Sequence, residues 1–305
     1  MIRRSAPSPN HKSKLVKIHS HTTVLADSSH GMKFTESPRW RDGKWWFLDI
    51  HGQAIRTVDL QGRLETMLEL PFKPNGFGFR RDGSVMVGDA LGRKIHRWDG
   101  KTLTPVADLG AMTVFCLSDG IVDSHDRMYV GDIGYNFFDP ANPPVHTCVI
   151  TCIEADGIAR VVAGDLSFPN GMAITPDGKT LIVAETMGHR LTAFDILADG
   201  GLANRRVYAQ LADDVSPDGI ALDAEGGVWI ANPEGQHAVL RVLEGGEVTD
   251  AIELETDGYA VMLGGPERRH LLICASDTHD PARIARSPSV SLRVVEVAVA
   301  GAGTP

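Results

Sequence analysis

Six residues with side-chain oxygens recur along the chain, each at the start of a similar segment. They are Glu36, Asn75, Asp119, Asn170, Asp218 and Asp257, separated by 39, 44, 51, 48 and 39 residues. Carboxylate and amide oxygens are the ligands that calcium, magnesium and manganese prefer in proteins. If the fold brings these residues together, they can form an all-oxygen metal site, and zinc is a further candidate because it also accepts carboxylates.

The segments around these residues repeat one structural pattern. The clearest copies are PNGFGFRRDGSVMVGDA at 74–90, FPNGMAITPDGKTLIVAET at 168–186 and SPDGIALDAEGGVWIANP at 216–233, with looser copies at 36–50, 117–133 and 256–276. Each copy continues from its polar residue into an apolar stretch, a tight turn and a second apolar stretch. Repeats of about 40 residues built from short strands indicate a β-propeller. We therefore predict an all-β, six-bladed β-propeller with a metal in its central channel.

A second polar series follows the second apolar stretch of each repeat. It consists of Asp49, Asp89, Asp132, Glu185, Asn232 and Ser276. Because the two strands of a hairpin are antiparallel, the start of the first and the end of the second lie at the same edge of the sheet. Both series should thus converge on one end of the channel, as an inner and an outer ring. To close the propeller, we expect residues 22–25 to pair beside residues 291–297.

Three of the four carboxylates of the inner ring indicate a bound cation. Glu36, Asp119 and Asp218 would repel one another at the mouth of one channel, and either proton uptake or a cation relieves that repulsion. The alternative is local turn chemistry, since Asn-Gly and Asp-Gly are common turn sequences. Asn75 and Asp257 fit that alternative equally well. Glu36 precedes Ser-Pro and is a poor turn residue, so it favours a ligand role.

Composition and charge define the expected setting. Of 305 residues, 30 are basic and 39 acidic, giving a net charge of −9, and such a surface argues against nucleic-acid binding. Residues 1–20 are predicted to be a disordered basic tail, 21–299 a single propeller domain and 300–305 a flexible end. No apolar run is long enough to span a membrane. The four cysteines lack zinc or disulfide spacing, which suggests buried side chains and a cytoplasmic protein. We expect a monomer or a small homo-oligomer.

Four motifs resemble the senescence-marker-protein/gluconolactonase (regucalcin-like) family in the correct order. They are ESPRW, LSDGIVD, FPNGMAITPDGKTLIVAET and SPDGIALDAEGGVWIA, and the resemblance extends from about residue 34 to residue 297. It implies a six-bladed propeller with one divalent ion, most commonly calcium, and lactone hydrolysis. The family's metal ligands fall on Glu36, Asn170 and Asp218. Asp119 matches a residue of the family that transfers a proton or orients water.

Two departures from the family pattern concern the substrate. Ser118 replaces a common Asn, and Cys116 stands where sugar-lactone members often carry an Arg. The segment 134–146 adds Tyr135 and Phe137 near the channel mouth. We therefore expect a substrate less polar than a sugar lactone. The candidate substrate-binding residues are Ser118, Asn75, Tyr135, Phe137 and His189, although the aromatic residues could instead pack an inter-blade loop.

The sequence thus predicts a divalent-metal-dependent lactonase, a carboxylic ester hydrolase acting on a small-molecule lactone. A metal-activated water would attack the carbonyl, with Asp119 or Asp218 as the catalytic proton acceptor. The motifs of nucleophilic serine hydrolases are absent. Two other functions use the same ligands: a non-catalytic calcium-binding or regulatory propeller, and an organophosphate-cleaving esterase.

Overall fold

The computed structural model describes residues 16–135, 147–233 and 236–303. Two short strands, β1 (Lys17–His19) and β2 (Thr23–Asp27), precede the first complete sheet. Blades one to three then follow in chain order. Their strands are β3 (Thr35–Arg41), β4 (Lys44–Asp49), β5 (Ala54–Val58) and β6 (Leu64–Glu69); β7 (Pro74–Phe79), β8 (Val85–Asp89), β9 (Lys94–Trp98) and β10 (Leu103–Asp108); and β11 (Leu117–Val122), β12 (Met128–Asp132), β13 (Cys148–Ile153) and β14 (Ala159–Leu166).

Blades four to six have the same up-and-down order. Their strands are β15 (Pro169–Ile174), β16 (Thr180–Glu185), β17 (Arg190–Ile196) and β18 (Leu202–Gln210); β19 (Ile220–Leu222), β20 (Val228–Asn232), β21 (Ala238–Val242) and β22 (Val248–Glu253); and β23 (Asp257–Gly264), β24 (His270–Ser276) and β25 (Ser291–Glu296). Helical structure in the described ranges comprises α1 (Pro281–Arg286) and two 3-10 turns, Ser28–His30 and Thr186–Gly188. None of these helices is long and apolar enough to cross a membrane.

The first strands of successive blades contact one another in a closed ring. The ring runs through β3, β7, β11, β15, β19 and β23 and returns to β3. Strand β2 completes blade six as its outermost strand, antiparallel to β25, with Thr23 opposite Val294. The predicted six-bladed propeller and the predicted closure by the N-terminal segment are both confirmed.

The hydrophobic core is divided into six interfaces between neighbouring blades. In each interface, apolar residues from two consecutive sheets interdigitate. The interface of blades six and one includes Trp45, Phe47 and Leu272, all fully buried. Because both faces of every sheet are covered, the second strands are apolar on both faces. The four cysteines are buried and none of them forms a disulfide bond, as expected for small core residues.

A β-bulge interrupts the register of five of the innermost strands near the polar residue of the inner ring. In β3 the shift falls between Glu36 and Arg39, and in β15 it falls between Pro169 and Met172. A bulge adds a residue and turns the local side chains, so it changes the direction of the polar side chain beside it. Ser37 has a φ of 51° at the bulge of β3.

The glycine that follows most inner-ring residues is required by the close approach of neighbouring innermost strands. A Cβ on Gly171 would lie 2.4 Å from the Asp218 carbonyl oxygen, and one on Gly219 would lie 2.5 Å from the Ala260 Cβ. Neither distance is compatible with a side chain. The X-Gly pattern therefore marks the packing of strands around the channel rather than a turn.

The second polar series lies at the same end of the blades, and several of its side chains accept hydrogen bonds from backbone amides. Asp49 accepts a hydrogen bond from the Phe34 amide at 3.1 Å, and Glu185 accepts one from the Ser167 amide at 2.9 Å. Asn232 accepts one from the Ser216 amide at 2.9 Å. Each of these three bonds fixes the segment that enters an innermost strand, so Asp49, Glu185 and Asn232 position the inner ring in blades one, four and five.

The paired structure of the propeller extends beyond both of its predicted boundaries, residues 21 and 299. Residues 17–19, predicted to belong to a disordered tail, form β1, which runs parallel to β22, and His19 lies 3.1 Å from Asp250. At the other end, the Ala300 carbonyl accepts a hydrogen bond from the Ala224 amide at 2.8 Å, and Gly301 forms a β-bridge with Asp223. Backbone pairing with blade five accounts for the order of both segments.

Candidate metal and active site

A cavity of about 260 Å³ opens at the end of the channel where the innermost strands begin, and we call it the upper cavity. The polar residues that line it are Glu36, Asn75, Ser118, Asn170, Thr186, His189, Ser216, Asp218 and His279. The β-bulges and the close inter-strand packing place these side chains at one level, although they are distant in sequence. The predicted convergence of the inner ring is thus observed for blades one, two, four and five, whereas blade three contributes Ser118 in place of Asp119. Asp257 is displaced from it and pairs with His237 at 2.6 Å.

Two carboxylates, Glu36 and Asp218, lie at the floor of the upper cavity, and a third, Asp119, is buried close to them. Glu36, Asp119 and Asp218 are 8%, 4% and 9% exposed. Burial, followed by the charges of Asp218 and then Asp119, raises the pKa of Glu36 well above its ordinary value. Such a cluster is electrostatically unfavourable unless a proton or a cation joins it.

The amide side chains beside these carboxylates are oriented with their oxygens available. The Asn170 Nδ2 donates to the Thr186 hydroxyl at 3.2 Å, and that hydroxyl donates to the Pro217 carbonyl at 2.8 Å. The Asn75 Nδ2 donates to the Leu117 carbonyl at 3.0 Å. In both residues the nitrogen is engaged by a protein acceptor, so the oxygen remains to accept from, or to bind, another group.

The side-chain oxygens of these residues fit a hard divalent cation. Glu36 and Asp218 supply carboxylate oxygens, and Asn170 supplies an oriented amide oxygen at the same level of the channel. No three His, Cys, Asp or Glu side chains of the described chain form a ligand cluster on their own. The set therefore depends on the amide, which suits calcium, magnesium or manganese better than zinc.

Asp119 lies behind the cavity wall rather than in it. Its Oδ1 accepts hydrogen bonds from the Ser37 hydroxyl at 2.8 Å, Arg39 Nη2 at 3.1 Å and the Gly120 amide at 2.8 Å. Its side chain keeps 6% of its surface exposed. One carboxylate oxygen is thus held by three donors, and within the described residues Oδ2 accepts none of these bonds.

Two buried hydroxyl groups that line the upper cavity have no hydrogen-bond partner among the described residues. They belong to Ser118 and Tyr259, which are 1% and 4% exposed. Burial, followed by the charges of Asp257 and Asp218, raises the pKa of Tyr259, so its phenol keeps its proton. Leaving buried donors unsatisfied is costly, so both hydroxyls are suited to hydrogen-bond a bound molecule.

The remaining wall of the upper cavity is mainly apolar. It includes Phe34, Ile50, Ile133, Tyr135, Phe168, Met187 and Pro233. Tyr135 packs edge-to-face on Phe168 with ring centroids 6.0 Å apart. Among the described lining residues there is neither a Lys nor an Arg.

Four of the five predicted substrate-binding residues line the upper cavity: Asn75, Ser118, Tyr135 and His189. Phe137 lies outside the described residues. The His189 Nδ1 lies 2.9 Å from the Val215 carbonyl, which can only accept, so Nδ1 carries a hydrogen. Asp119 does not line the upper cavity. The bulge of β11 turns it behind Ser118, which lines the cavity in its place.

Sequence reasoning missed several residues of the site. No role is predicted for Thr186, the last residue of the repeat at 168–186, yet its hydroxyl orients Asn170. Tyr259 follows the inner-ring position of blade six by two residues, and Phe34 precedes that of blade one by two. The signal available for both was an aromatic residue two positions from a ring residue, although on opposite sides of it. Arg39 gave no such signal.

Comparison with known proteins gives a family match over most of the chain. The model of the SMP-30/Gluconolactonase/LRE-like region matches residues 34–277. The chain is 29% identical to the 6-deoxy-6-sulfogluconolactonase of Pseudomonas putida over 251 residues, covering 79% of this chain and 82% of that protein. It is 26% identical to regucalcin of Danio rerio, covering 68% of this chain and 70% of that protein.

A solved structure has the same fold. The calcium-binding protein regucalcin from Agrobacterium tumefaciens superposes with a TM-score of 0.78 at 22% identity, covering 95% of this chain and 99% of that one. The six-bladed architecture, the motifs and the family match agree in both position and order. This protein belongs to the SMP-30/gluconolactonase/LRE-like family, a family of lactonases.

Proposed function

We propose that this protein hydrolyses a neutral, partly apolar lactone in a reaction that depends on a divalent cation. The observation that carries the proposal is the convergence of Glu36, Asp218 and an oriented Asn170 at the floor of a largely apolar cavity. Membership of the family supports lactone hydrolysis as the reaction. A relative that is 29% identical over most of the chain is named as a sulfogluconolactonase.

Glu36, Asn170 and Asp218 would hold the cation, with calcium as the first candidate. Bound there, the cation would act as a Lewis acid toward the lactone carbonyl. The role of the protein is to fix the ligands before substrate arrives. Thr186 fixes the Asn170 amide, and the Ser37 amide donates to Glu36 Oε2 at 2.9 Å.

Asp119 would accept the proton of the attacking water through Oδ2. Three donors hold Oδ1, so the carboxylate cannot rotate freely and Oδ2 is the oxygen left to accept a proton. Asp218 is the alternative acceptor, since it lines the cavity directly.

The Tyr259 and Ser118 hydroxyls would bind the carbonyl oxygen of the substrate. Both are buried donors without described partners, and donors aimed at a developing negative charge lower the barrier of acyl transfer. Because the phenol of Tyr259 remains protonated, it can donate throughout the reaction.

The lining of the upper cavity favours a neutral substrate with an apolar substituent. Aromatic and aliphatic side chains form most of the wall, and no Lys or Arg among the described lining residues could bind a sulfonate or phosphate. An anionic sugar lactone would therefore be a poor substrate, in contrast to that of the sulfogluconolactonase relative.

The proposal is tested with chelator-stripped protein and a panel of lactones. The panel contains γ-nonanolactone, dihydrocoumarin, glucono-δ-lactone and 6-deoxy-6-sulfo-gluconolactone, each assayed with calcium, magnesium, manganese or zinc. We expect hydrolysis that requires a cation and is fastest for the first two lactones. Preference for the sulfonated sugar would overturn the substrate assignment. Stoichiometric cation binding without turnover of any lactone would point to a non-catalytic cation-binding propeller.

A further inference from the structure

A second cavity, of about 330 Å³, lies at the opposite end of the channel, and we call it the lower cavity. Its wall is formed where the innermost strands end, so it shares none of its lining residues with the upper cavity. The proposed lactonase reaction does not use it.

Arginines concentrate on one side of the lower cavity. Arg41, Arg80 and Arg268 come from blades one, two and six, which are neighbours in the ring, and each occupies the end of an innermost strand or the turn after it. Arg39 and Arg81 also line the cavity. In a protein with a net charge of −9, such clustering of positive charge is not expected from composition.

Some of these arginines are neutralised by carboxylates. Arg39 pairs with Asp119 at 3.1 Å, and Arg81 pairs with Asp126 at 3.0 Å. Arg41 contacts the exposed Asp42 at 3.3 Å and lies over the Phe79 ring, 4.6 Å from its centroid. Asp123, the acidic residue among the described lining residues, is engaged by Arg127 at 2.7 Å.

Arg80 and Arg268 form no close ion pair with a carboxylate in the part of the chain that the structure describes, although the charges of Asp82 and Asp126 act on Arg80 from farther away. The Nε of Arg80 is buried and makes no hydrogen bond within those ranges. Arg268 is half-buried, and burial lowers its pKa. Two partly buried guanidinium groups whose nitrogens are not held in a close ion pair favour the binding of an anion, for which their planar donors are well suited.

The opposite side of the lower cavity is apolar. Blades three, four and five contribute Ile121, Val122, Met172, Ile174, Ile220 and Leu222. Inorganic anions gain nothing from such a wall, whereas an organic anion with a hydrophobic body contacts both sides at once.

We propose that the lower cavity binds a small organic carboxylate, with Arg80 and Arg268 contacting the carboxylate and the wall of blades three to five contacting its apolar body. The cavity volume suits a body of about the size of a phenylalkyl chain. This proposal is independent of lactone hydrolysis and does not require a cation.

Isothermal titration calorimetry with 4-phenylbutyrate tests the proposal. The full-length protein is kept in excess chelator, so that no cation in the upper cavity can bind the carboxylate. We expect one site, with 4-phenylbutyramide binding at least about tenfold more weakly because it lacks the charge. Arg80→Gln and Arg268→Gln should each weaken binding about tenfold, and Arg268→Lys should weaken it less.

Arg206→Gln is the matched control. It removes one positive charge from an exposed pair with Asp195 on blade four and should leave binding unchanged. Circular dichroism and the unfolding midpoint confirm that each variant is folded. Equal affinity for the acid and the amide, wild-type affinity in both Arg80→Gln and Arg268→Gln, or the loss of binding in Glu36→Gln would each overturn the proposal.

Discussion

The Ser37 hydroxyl donates a hydrogen bond to Asp119 Oδ1 at 2.8 Å, joining blade one to blade three across the innermost strand of blade two. Arg39 reaches the same oxygen at 3.1 Å and also donates to the Gly120 carbonyl at 2.7 Å. The intervening strand fits between them because Gly76 has no side chain. A Cβ at this position would lie 2.6 Å from the Gly120 nitrogen. Asp119 is therefore held by the geometry of three blades.

This arrangement predicts that Asp119→Asn loses turnover and keeps the cation. The amide cannot accept a proton, so kcat should fall about 100-fold, with little change in KM. The variant should still bind the cation, because Asp119 is not a proposed ligand, with somewhat lower affinity because a negative charge near Glu36 is lost. Lactone kinetics together with calcium titration measure both quantities.

Asp123→Asn provides the control for this substitution. Asp123 forms a buried ion pair with Arg127 at 2.7 Å in the same blade, but at the other end of the channel. Either substitution should lower the free energy of unfolding by about 3 kcal/mol, as expected when a buried pair is broken. A kcat near that of the wild type in Asp119→Asn would instead identify Asp218 as the proton acceptor.

Glu36→Gln should have opposite effects on the stability of the protein in chelator and of the protein loaded with a cation. Without a cation, the buried Glu36 carboxylate is repelled by Asp218 and Asp119, so the amide should raise the unfolding midpoint. With saturating calcium, the wild type should gain stability, about 2.7 kcal/mol at a concentration of 100 Kd, and the variant should gain far less.

Thermal unfolding with and without chelator measures both effects of Glu36→Gln. Asp257→Asn is the matched comparison, since Asp257 occupies the equivalent position in blade six but pairs with His237. Its response to calcium should equal that of the wild type. If Glu36→Gln lowered the midpoint equally in both states, Glu36 would have a structural role only.

The propeller and most of its polar ring could be predicted because both are properties of the repeat. A single copy of the repeat predicts a polar residue, a strand, a turn and a second strand, and six such copies predict a ring of six blades. The role of Thr186 and the position of Asp119 behind Ser118 could not be predicted in this way. They depend on β-bulges that turn individual side chains, and the register of a bulge is set by packing between blades.

The glycines after the ring residues illustrate the same limit. Gly171 and Gly219 fit a turn equally well by sequence alone. The structure assigns them to close contacts between neighbouring strands, which involve residues more than 40 positions apart. Such contacts between blades leave no signal in the local pattern of a single repeat.

Tyr259→Phe should lower kcat and spare both folding and cation binding. The phenol hydroxyl makes no hydrogen bond to the described residues, so its removal should not destabilise the protein. If it donates to the carbonyl oxygen of the substrate, kcat should fall by about 100-fold. Tyr208→Phe is the control, because that hydroxyl donates to the Gly226 carbonyl at 2.5 Å, away from the upper cavity. Unaltered kcat in Tyr259→Phe would exclude the hydroxyl from the reaction.

Glu185 should make the stability of the protein sensitive to acid. Burial opposes its charge, but hydrogen bonds from Arg190 and Thr192 outweigh burial and lower the pKa of Glu185 below its ordinary value of 4.5. A carboxyl whose pKa is lowered by folding stabilises the native state above its ordinary pKa. That contribution disappears as the pH falls through the pKa of the folded state.

Urea unfolding of the wild type and of Glu185→Gln between pH 7 and pH 3.5 tests this prediction. At pH 7 the substitution should cost roughly 2 kcal/mol, less than for a fully buried pair because Arg190 and Arg205 are 29% and 34% exposed. The difference between the two proteins should shrink toward pH 3.5, since protonation removes the same charge. Glu65→Gln, which breaks the exposed pair with Lys44, should show almost no difference at either pH. A constant difference across the range would mean that Glu185 stabilises blade four by packing rather than by charge.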